Sequence, residues 1–351
     1  MRELRIGVVG AGIIGLKHIE TILRTPGFRL AGIVDPGPRA GEVAARFGVP
    51  LFADLGAMLA ARAVDGAVVA TPNELHAEAA IALLEAGLPA LVEKPVVGTA
   101  GEADALLAAI RRTGVPVLVG HHRRHHPIVR AAKAAIDGGL IGRLVAASVI
   151  CSLYKDEDYF DVLWRRRPGT GGPLMINLIH EVDLMRHLFG DVSSVAALSS
   201  NAVRGLEVED CAGAVLRFAA GGMATMMISD VAVGPWAWDI TAGENPARFP
   251  AHAAQSHFFA GSEGGLSLPD LAHWSHRGTR SWYHALDRRT LPHGSDDCYE
   301  AQLLHFGSMI AGEAEPLVSA DEGVRSLATI EAIRKAAQTG RETRVEPAVQ
   351  A

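Results

Sequence analysis

The first candidate for chemistry is a glycine-rich stretch near the start of the chain. Residues 10–15 have the sequence Gly-Ala-Gly-Ile-Ile-Gly, which fits G-x-G-x-x-G between a predicted strand and a predicted helix. There the first glycine permits a tight turn, the second lets the backbone approach a pyrophosphate, and the third lets the helix pack on the strand. A plain glycine turn is the alternative. We predict a dinucleotide site that includes Gly10, Gly12, Ile13, Ile14 and Gly15.

An acidic residue follows this loop at the spacing that a dinucleotide site requires. Asp35 ends the predicted second strand, 20 residues after Gly15. A carboxylate at this position accepts hydrogen bonds from the ribose hydroxyls and repels a 2′-phosphate, so we predict NAD as the cofactor, with NADP less favoured. Arg39, one helical turn later, would soften this preference but is expected to be a solvated helix residue. A simple turn at Asp35-Pro36 is the alternative.

Two further segments follow short apolar strands. They are Thr71-Pro72-Asn73 and Glu93-Lys94-Pro95. Ligands of open parallel sheets bind outside the carboxyl ends of the strands, so both segments are predicted to lie in the ligand crevice. A lysine there can hold or donate a proton at a reacting oxygen. A solvated surface lysine is the alternative.

Histidine and cysteine are present without the spacing of a metal site. Residues 120–125 read Gly-His-His-Arg-Arg-His, and the two adjacent guanidinium groups would repel a cation. The three cysteines are Cys151, Cys211 and Cys298, and they form no C-x-x-C pair. We therefore predict no metal site and a reducing, cytoplasmic setting.

The elements that must position these residues change in character along the chain. The first third alternates short apolar runs with helical patterns, which is typical of a parallel sheet with crossover helices. Strands are predicted near 4–9, 29–34, 51, 67–70, 89–92 and 115–119, with helices that include 73–86 and 100–112. The alternation stops at Gly120, so we place a domain boundary at residue 122, giving domains of residues 1–122 and 123–351.

The second domain is predicted to be α+β, with a mostly antiparallel sheet covered by a few helices. A hairpin is predicted from 210–218 and 223–229 around the loop 219–222, because glycines close such turns. Other predicted strands are 195–201, 237–242 and 265–268, and the predicted helices are 174–189, 297–310 and 320–338.

Composition limits the class of protein. The 351 residues contain 49% hydrophobic and 21% charged residues, which is typical of folded globular chains. A net charge of −6 gives nucleic acid or anionic lipid no general attraction. No charge-free run reaches the roughly 18 apolar residues that span a bilayer. We expect neither nucleic acid nor a membrane as a partner.

Taken together, these motifs resemble the Gfo/Idh/MocA oxidoreductases, the family of glucose-fructose oxidoreductase and inositol dehydrogenase. The resemblance rests on the glycine loop, Asp35, the two strand-end segments, residues 120–124, and Gly171-Gly172 leading to His180 and Asp183. It implies a Rossmann domain, a second domain whose large open sheet serves oligomerisation, a homodimer or homotetramer, and hydride transfer between NAD and a secondary hydroxyl of a sugar, sugar derivative or cyclitol.

The resemblance also implies roles for individual residues. The lysine after the fifth strand and the histidine on the second-domain helix touch the reacting hydroxyl in the family. The catalytic residues implied here are Lys94, His180 and Asn177. The cofactor contacts implied beyond the glycine loop and Asp35 are Thr71, Asn73, His76, Glu93 and Lys94. The substrate contacts implied are Lys94, Arg123, Trp164, Asn177 and His180.

One departure concerns the environment of His180. Many family members carry aspartate four residues before this histidine, where this chain has Ile176, with Asn177 beside it. On a helix both would lie next to His180. Ile176 can only pack, whereas Asn177 is predicted either to orient the imidazole or to contact the substrate directly.

Two other functions remain open from the sequence. One is a glycosidase that oxidises and re-reduces its substrate within one turnover, as some members of this family do. The other is a non-catalytic dinucleotide-binding sensor, against which the presence of Lys94 and His180 argues.

Overall fold

The computed structural model describes residues 3–246 and 248–346. The chain forms two compact units, the first from residues 3–125 and 297–325, and the second from residues 126–246, 248–296 and 326–346. The strands along the described chain are β1 (Leu4–Val9), β2 (Phe28–Val34), β3 (Leu51–Phe52), β4 (Gly66–Val69), β5 (Ala90–Val92), β6 (Val117–Val119), β7 (Leu144–Ser152), β8 (Val192–Ser200), β9 (Cys211–Phe218), β10 (Met223–Ser229), β11 (His257–Gly261), β12 (Gly264–Leu268), β13 (Ala272–Ser275), β14 (Asp287–Thr290) and β15 (Thr343–Arg344).

Helices connect or cover these strands. They are α1 (Ile13–Arg24), α2 (Ala40–Phe47), α3 (Leu55–Ala60), α4 (His76–Glu85), α5 (Ala100–Thr113), α6 (Pro127–Asp137), α7 (Ile179–Phe189), α8 (Trp238–Thr241), α9 (Cys298–Ile310) and α10 (Ala320–Thr339). Local sequence explains several of their ends. Thr99 and Glu102 form a reciprocal capping box at the start of α5, and Gly114 ends that helix with a φ of +68°. Among the described residues, no helix combines the length and the apolar character that crossing a membrane requires.

The first unit contains a six-stranded parallel sheet. Its order is β3-β2-β1-β4-β5-β6. Successive strands are added on one side of β1 up to β3 and on its other side from β4 onwards. The strands are short and buried on both faces, as the four fully buried residues of β4 show. Strands buried in this way form continuous apolar runs, because crossover helices cover both faces of a parallel sheet.

The helix α9 belongs to this first unit although it lies far along the chain. Asp297 caps it by accepting hydrogen bonds from the backbone N–H groups of Tyr299 and Glu300. Phe306 is fully buried. Its ring packs against β4, since a Cβ added to Gly66 would lie 3.1 Å from the ring. The predicted domains, 1–122 and 123–351, differ from the two compact units for this reason: residues 297–325 return to the first unit, and no local pattern marks that return.

The second unit contains a nine-stranded mixed sheet. Its order is β14-β13-β12-β11-β7-β10-β9-β8-β15. Among its described pairs β7 and β10 run parallel, and the others run antiparallel. The predicted hairpin is present, with β9 and β10 paired from Arg217↔Met223 to Cys211↔Ser229. The predicted fold class, a Rossmann sheet followed by an α+β domain with a large, mostly antiparallel sheet, is confirmed.

The helix α7 packs on one face of this sheet. Phe189 contacts the rings of Phe218 on β9 and Phe259 on β11, with centroids 5.9 and 5.0 Å away. In the same helix, Glu181 lies 2.8 Å from His257 on β11, and both side chains are fully buried. These contacts fix α7, and with it His180, against the sheet.

One predicted strand is wrong. Residues 238–241 form the short helix α8 instead of part of a strand over 237–242. The N–H groups of Ile240 and Thr241 both bond the carbonyl of Ala237, which closes a helical turn. Apolar spacing alone does not distinguish a strand from a helix over so few residues.

Candidate functional sites

A row of valines sets the sheet edge at which the candidate residues of the first unit begin. Val9, Val34, Val69, Val92 and Val119 end β1, β2, β4, β5 and β6, and they lie in register from strand to strand. The next residue of each strand continues the row, since each of the residues 10, 70, 93 and 120 donates its N–H to a valine carbonyl of the neighbouring strand. The glycine loop, Asp35, Thr71 and the Glu93-Lys94 pair therefore start at one level of the sheet.

The three glycines of the loop have different surroundings. Gly10 has a φ of +95°, and a Cβ there would lie 2.5 Å from the carbonyl oxygen of Ala70. A Cβ on Gly15 would overlap the carbonyl of Gly10, so the close approach of α1 to β1 requires glycine. Gly12 faces open space, with no atom within 4 Å of an added Cβ. This is the arrangement that a dinucleotide needs, because the backbone at Gly12 is accessible to a pyrophosphate.

The predicted loop residues beyond the glycines lie at the start of α1. Ile13 is 63% exposed, which is unusual for isoleucine, and Ile14 is half-buried. Gly12 itself is the N-cap of α1, and glycine has no side chain that could accept a hydrogen bond from the first N–H groups of the helix, so the cap leaves them available to an anion.

Asp35 is half-buried and closes the loop through its carboxylate. Its Oδ2 accepts the N–H of Ala11 at 2.6 Å, and its Oδ1 accepts the N–H of Gly37 at 2.7 Å. A carboxylate has about four acceptor positions, so these two bonds leave capacity for ribose hydroxyls. Arg39 is an exposed residue 3.8 Å from Glu42, as predicted for a solvated helix arginine.

The segment after β4 carries an unsatisfied hydroxyl. Thr71 Oγ1 is buried and makes no hydrogen bond to any residue that the structure describes. Asn73 is half-buried in the turn that precedes α4. A buried polar atom costs free energy unless it is paired, so Thr71 fits a position that a bound ligand completes.

His76 has a different position from the other predicted cofactor contacts. Its imidazole is 1% exposed and lies between two carbonyl oxygens, with Nδ1 2.7 Å from that of Pro95 and Nε2 2.9 Å from that of Thr71. The ring joins the loop after β4 to the loop after β5. His76 therefore positions the backbone of both strand-end segments.

Glu93 is a buried carboxylate held by a histidine. Its Oε1 lies 2.8 Å from Nε2 of His18 on α1. Burial by itself would raise the pKa of Glu93, but the His18 hydrogen bond and the electrostatic interactions with His18, Lys94 and His122 outweigh it and lower the pKa to about 2. Gly120 is required beside it, since a Cβ there would lie 2.9 Å from the Glu93 carboxyl carbon. Glu93 is therefore a buried, ionised carboxylate whose contacts are with the surrounding protein.

Lys94 follows Glu93 and is half-buried. Its backbone N–H donates to Oε2 of Glu93 at 3.2 Å, which ties the lysine backbone to the buried carboxylate. The positive charge of Lys94 also contributes to the low pKa of Glu93. The lysine is thus fixed at the sheet edge where the glycine loop begins.

The histidine and arginine run after β6 lies in the interior of the first unit. Arg123, a predicted substrate contact, is 3% exposed. His122 stacks on Tyr299 of α9 with ring centroids 4.3 Å apart, and Arg124 pairs with Glu322 at 3.0 Å. The segment holds the returning part of the chain to the Rossmann sheet.

The candidate residues of the second unit lie around a π-helical turn. Residues 174–178 form this turn, which continues directly into α7 at Ile179. His180 is buried, whereas Ile176 and Asn177 are half-buried. A π-turn widens the helix by one residue, so the neighbouring-row geometry that an α-helix would give 176, 177 and 180 does not apply. Such turns occur frequently at functional sites.

Glu209 holds the start of this turn. Its carboxylate accepts the N–H of Leu174 at 2.9 Å, and Gly172, with a φ of +79°, leaves no room for a side chain beside it. Burial raises the pKa of Glu209, the bonds from backbone N–H groups oppose that rise, and Asp230 adds to it. The Gly171-Gly172 pair of the family motif is therefore needed for a close backbone approach.

A cluster of polar residues beside Asn177 was not predicted. We call it the Lys155 cluster, and its members are Lys155, Tyr159, Asn177, Arg204 and Asp230. Lys155 donates to Asn177 Oδ1 at 2.6 Å and lies 3.8 Å from Asp230 Oδ2. The sequence gives one signal, because charged residues follow the apolar strands β7 and β10. The parallel pairing that aligns Ser152 with Ser229 is visible only in the structure.

The charges of the Lys155 cluster are unusual. Burial raises the pKa of Asp230, Lys155 and Arg204 lower it, and Asp210 raises it again. Burial also raises the pKa of Tyr159, Arg165 lowers it, Asp230 raises it and Arg248 lowers it. Perturbed groups of this kind are frequent at functional sites.

Trp164, another predicted substrate contact, lies on an exposed loop of the second unit. It is 42% exposed and belongs to a short 3-10 turn over Leu163–Arg166. The neighbouring Arg165 stacks on Tyr159, with its guanidinium carbon 4.0 Å from the ring centroid. This stacking connects the loop to the Lys155 cluster.

Comparison with known proteins assigns both parts of the chain to one family. Residues 4–121 match the oxidoreductase family with an NAD-binding Rossmann fold, and residues 133–346 match the C-terminal α/β domain of the same family. The 1,5-anhydro-D-fructose reductase of Ensifer adhaerens is 30% identical over 348 residues, covering 97% of this chain and 98% of that protein. Inositol 2-dehydrogenase of Rhizobium meliloti is 29% identical over 227 residues, covering 63% of this chain and 67% of that protein.

A solved structure agrees with this assignment. The WlbA dehydrogenase from Bordetella pertussis, in complex with NADH and UDP-GlcNAcA, superposes with a TM-score of 0.79. The two chains are 25% identical, over 98% of this chain and 99% of the other. The resemblance predicted from the motifs is confirmed: this chain belongs to the Gfo/Idh/MocA oxidoreductase family, with an NAD-binding Rossmann domain and the family's C-terminal α/β domain.

Proposed function

We propose that this protein is an NAD-dependent dehydrogenase acting on a secondary hydroxyl of a sugar, sugar derivative or cyclitol. The observation that carries the proposal is the shared sheet edge, where the dinucleotide loop after β1 and Lys94 after β5 begin at the same level. The related anhydrofructose reductase and inositol dehydrogenase support this substrate class.

Oxidation of a secondary alcohol removes a hydride from carbon and a proton from oxygen. Bound NAD supplies the hydride acceptor. We propose that Lys94 stabilises the charge on the oxygen and that His180 accepts the proton. An ammonium group at Lys94 stabilises the negative charge that develops on the oxygen, and an imidazole at His180 accepts its proton.

Asp35 is proposed to select NAD over NADP. Its carboxylate already orders the loop through Ala11 and Gly37, and its negative charge opposes a 2′-phosphate. Replacing Asp35 by Ser should weaken NAD binding and narrow the preference for NAD over NADP, as measured by titration calorimetry with both dinucleotides. The matched control is Asp104→Ser, at an exposed position of α5. Tighter binding of NADP than of NAD by the wild-type protein would contradict the assignment.

The test of the proposed function is a substrate screen. Purified protein with NAD is offered a panel of sugars, anhydrosugars and cyclitols, and NADH formation is followed by absorbance. The reverse reaction is followed with the matching ketones and NADH. We expect at least one pair to react in both directions with the same stereochemistry. Cleavage of a chromogenic glycoside without net NADH would favour the glycosidase, and dinucleotide binding without turnover on any compound would favour the sensor.

We further propose that a second copy of the chain covers the outer face of the nine-stranded sheet, as in a homodimer or homotetramer. The strand β9 alternates buried and exposed residues, and the exposed face of the sheet carries Leu198, Val215, Met223 and Met227. Exposed apolar side chains gathered on one face of a sheet in this way are typical of protein interfaces. Sedimentation should show an oligomer that Val215→Lys dissociates, whereas Val233→Lys, at an exposed loop position, should leave it intact.

We propose a reducing, cytoplasmic location and no nucleic-acid or membrane partner. Among the described residues, Cys151, Cys211 and Cys298 form no disulfide bond. Burial, together with the negative charges of Asp210 and Asp230, raises the pKa of Cys211, which keeps this thiol protonated and unreactive. Cell fractionation tests the location directly, and recovery with an exported fraction would contradict it.

A further inference from the structure

The contact between Lys155 and Asn177 settles how the asparagine amide is oriented. Nζ of Lys155 lies 2.6 Å from the Asn177 side chain. An ammonium group has only hydrogen-bond donors, so the atom that faces it must be the amide oxygen and cannot be the nitrogen. The orientation, which is ambiguous for many asparagines, is therefore fixed here by chemistry.

The ammonium group is itself held in place. Lys155 is 9% exposed and Asp230 is 2% exposed. Nζ of Lys155 lies 3.8 Å from Oδ2 of Asp230. The backbone N–H of Lys155 donates to the Asp230 carbonyl at 2.9 Å, and Arg204 donates to the carbonyls of both residues at 2.7 Å. The Tyr159 ring lies 4.6 Å from Nζ. A lysine fixed on so many sides is not a mobile surface residue.

The lysine determines what Asn177 offers to a ligand. With Oδ1 bound by Lys155, the half-buried side chain presents the two N–H donors of its amide nitrogen. Asn177 also lies on the same continuous turn and helix as His180, three residues earlier.

We propose that Lys155 is a positioning residue that makes Asn177 a hydrogen-bond donor to an oxygen of the substrate. This inference rests on the proposed dehydrogenase function and adds to it. The substrate then carries an acceptor oxygen, such as a ring, hydroxyl or carbonyl oxygen, in addition to the hydroxyl that is oxidised. Of the two roles predicted for Asn177 from the sequence, direct substrate contact is favoured over orientation of the imidazole.

The substitution Asn177→Asp separates these two roles. It keeps the size of the side chain and the bond to Lys155, but it replaces the donor nitrogen by an acceptor oxygen. If Asn177 donates to substrate, this variant loses about tenfold to a hundredfold in kcat/KM, because a polar contact is left unmade. If Asn177 only orients His180, a carboxylate would be the better partner and activity would be kept or increased.

Lys155 is tested through its effect on Asn177. Lys155→Met removes the donor and keeps the length of the side chain, and it should raise KM more than it lowers kcat. Lys155→Arg retains a buried cation and donors and should recover most of the affinity. In the double variant Lys155→Met with Asn177→Ala, the two losses should not add, because both remove the same contact. The matched control is Lys133→Met, since Lys133 pairs with Asp137 on the surface.

A readout independent of turnover completes the experiment. The side-chain amide resonances of Asn177, identified by their disappearance in Asn177→Asp, should shift and exchange faster with water in Lys155→Met. Melting temperatures show which variants fold. If Lys155→Met does not fold, Lys155→Arg and Asn177→Asp still test the proposal. Unmoved amide resonances, additive losses, or full activity of Asn177→Asp would overturn the role of Lys155. Absence of turnover on every substrate by the wild type would instead overturn the proposed function, and the resonances would still decide the role of Lys155.

Discussion

Glu93 and Lys94 are adjacent residues with different tasks. Glu93 is buried with its carboxylate on His18, whereas Lys94 is half-buried at the end of β5. The backbone of Lys94 bonds to the Glu93 carboxylate, so the anion fixes the position from which the lysine side chain begins. The E-K-P sequence therefore combines a structural acid with a proposed catalytic base or cation.

Lys94→Met should abolish most of the turnover without unfolding the protein. The substitution removes a positive charge that is proposed to act on the reacting oxygen, and contributions of this kind are worth about two to four powers of ten in rate. Dissociation constants for NAD and melting temperatures should change little, because the backbone of residue 94 keeps its bond to Glu93. Stopped-flow and steady-state kinetics measure the loss. Undiminished turnover, with Lys133→Met as the control, would remove Lys94 from the mechanism.

Glu93 should make the stability of the protein depend on pH in the acid range. The pKa of Glu93 is lowered from 4.5 to about 2 in the folded state, so the folded protein binds this proton less readily than the unfolded chain. The resulting stability is fully present above about pH 4.5 and is lost as the pH falls towards 2.

Glu93→Gln tests this dependence. The variant should be less stable than the wild type by roughly 2–4 kcal/mol at pH 7, and the difference should shrink between pH 4.5 and 2. Urea unfolding at a series of pH values measures it. The control is Glu85→Gln, since Glu85 forms an exposed pair with Arg112 that contributes at most about 1 kcal/mol. A difference that does not vary with pH in this range would show that Glu93 has the same pKa in the folded and the unfolded protein.

At the scale of elements, the loop between β1 and α1 shows that three identical residues serve different purposes. Gly10 and Gly15 are required by the packing of the chain on itself. Gly12 has an ordinary extended conformation, with φ of −70° and ψ of −166°, and faces open space. Only Gly12 is therefore explained by a ligand.

Two substitutions in this loop should have opposite consequences. Gly12→Val should fold with an unchanged melting temperature and lose NAD binding, because the added atoms occupy the space that a pyrophosphate needs. Gly15→Ala should lower the melting temperature, because its Cβ overlaps the Gly10 carbonyl. Thermal unfolding and NAD titration of each variant measure the two effects. Unchanged NAD affinity in Gly12→Val would refute the assignment of this loop to the pyrophosphate.

The π-turn before α7 is the corresponding element of the second unit. It places Asn177 at 2.6 Å from Lys155, a contact that no regular helix pattern predicts. Glu209 and Gly172 fix its first residues through the Leu174 N–H. Glycine at position 172 is thus required by the close approach of Glu209, which binds the first residue of the turn that carries the polar residues.

At the scale of the whole molecule, the chain returns to the Rossmann unit late in the sequence. The helix α9 contributes Phe306, which is fully buried, and Gly307, where a Cβ would lie 2.6 Å from the Phe28 ring. The dinucleotide-binding unit is therefore completed by residues about 200 positions after its last strand.

Phe306→Ala should destabilise the dinucleotide-binding unit. Removing a fully buried phenylalanine costs about 3–5 kcal/mol through lost burial and a residual cavity. In chemical unfolding monitored through NAD binding, the variant should lose NAD binding at a lower denaturant concentration than the wild type does. Leu304→Ala, at an exposed position of the same helix, is the matched control. Equal effects of the two substitutions would contradict the packing of α9 described above.

Much of the first unit follows from local sequence. The alternation of apolar runs and helical periods predicts the parallel sheet, because strands and helices each have a fixed side-chain period. The positions of Gly12 and Asp35, and Lys94 at the end of β5, follow from the order in which strands and loops occur. The net charge and the number of cysteines follow from composition alone.

The tertiary structure alone decides contacts between residues that are distant in sequence. The Lys155 cluster forms because β7 and β10 pair in parallel, which aligns residues 152 and 229 and brings Lys155 to Asp230. The position of α9 depends in the same way on packing against strands that precede it by hundreds of residues. Local patterns record the period of an element but not its partner, because pairing and packing are set by complementary surfaces that only the folded chain brings together.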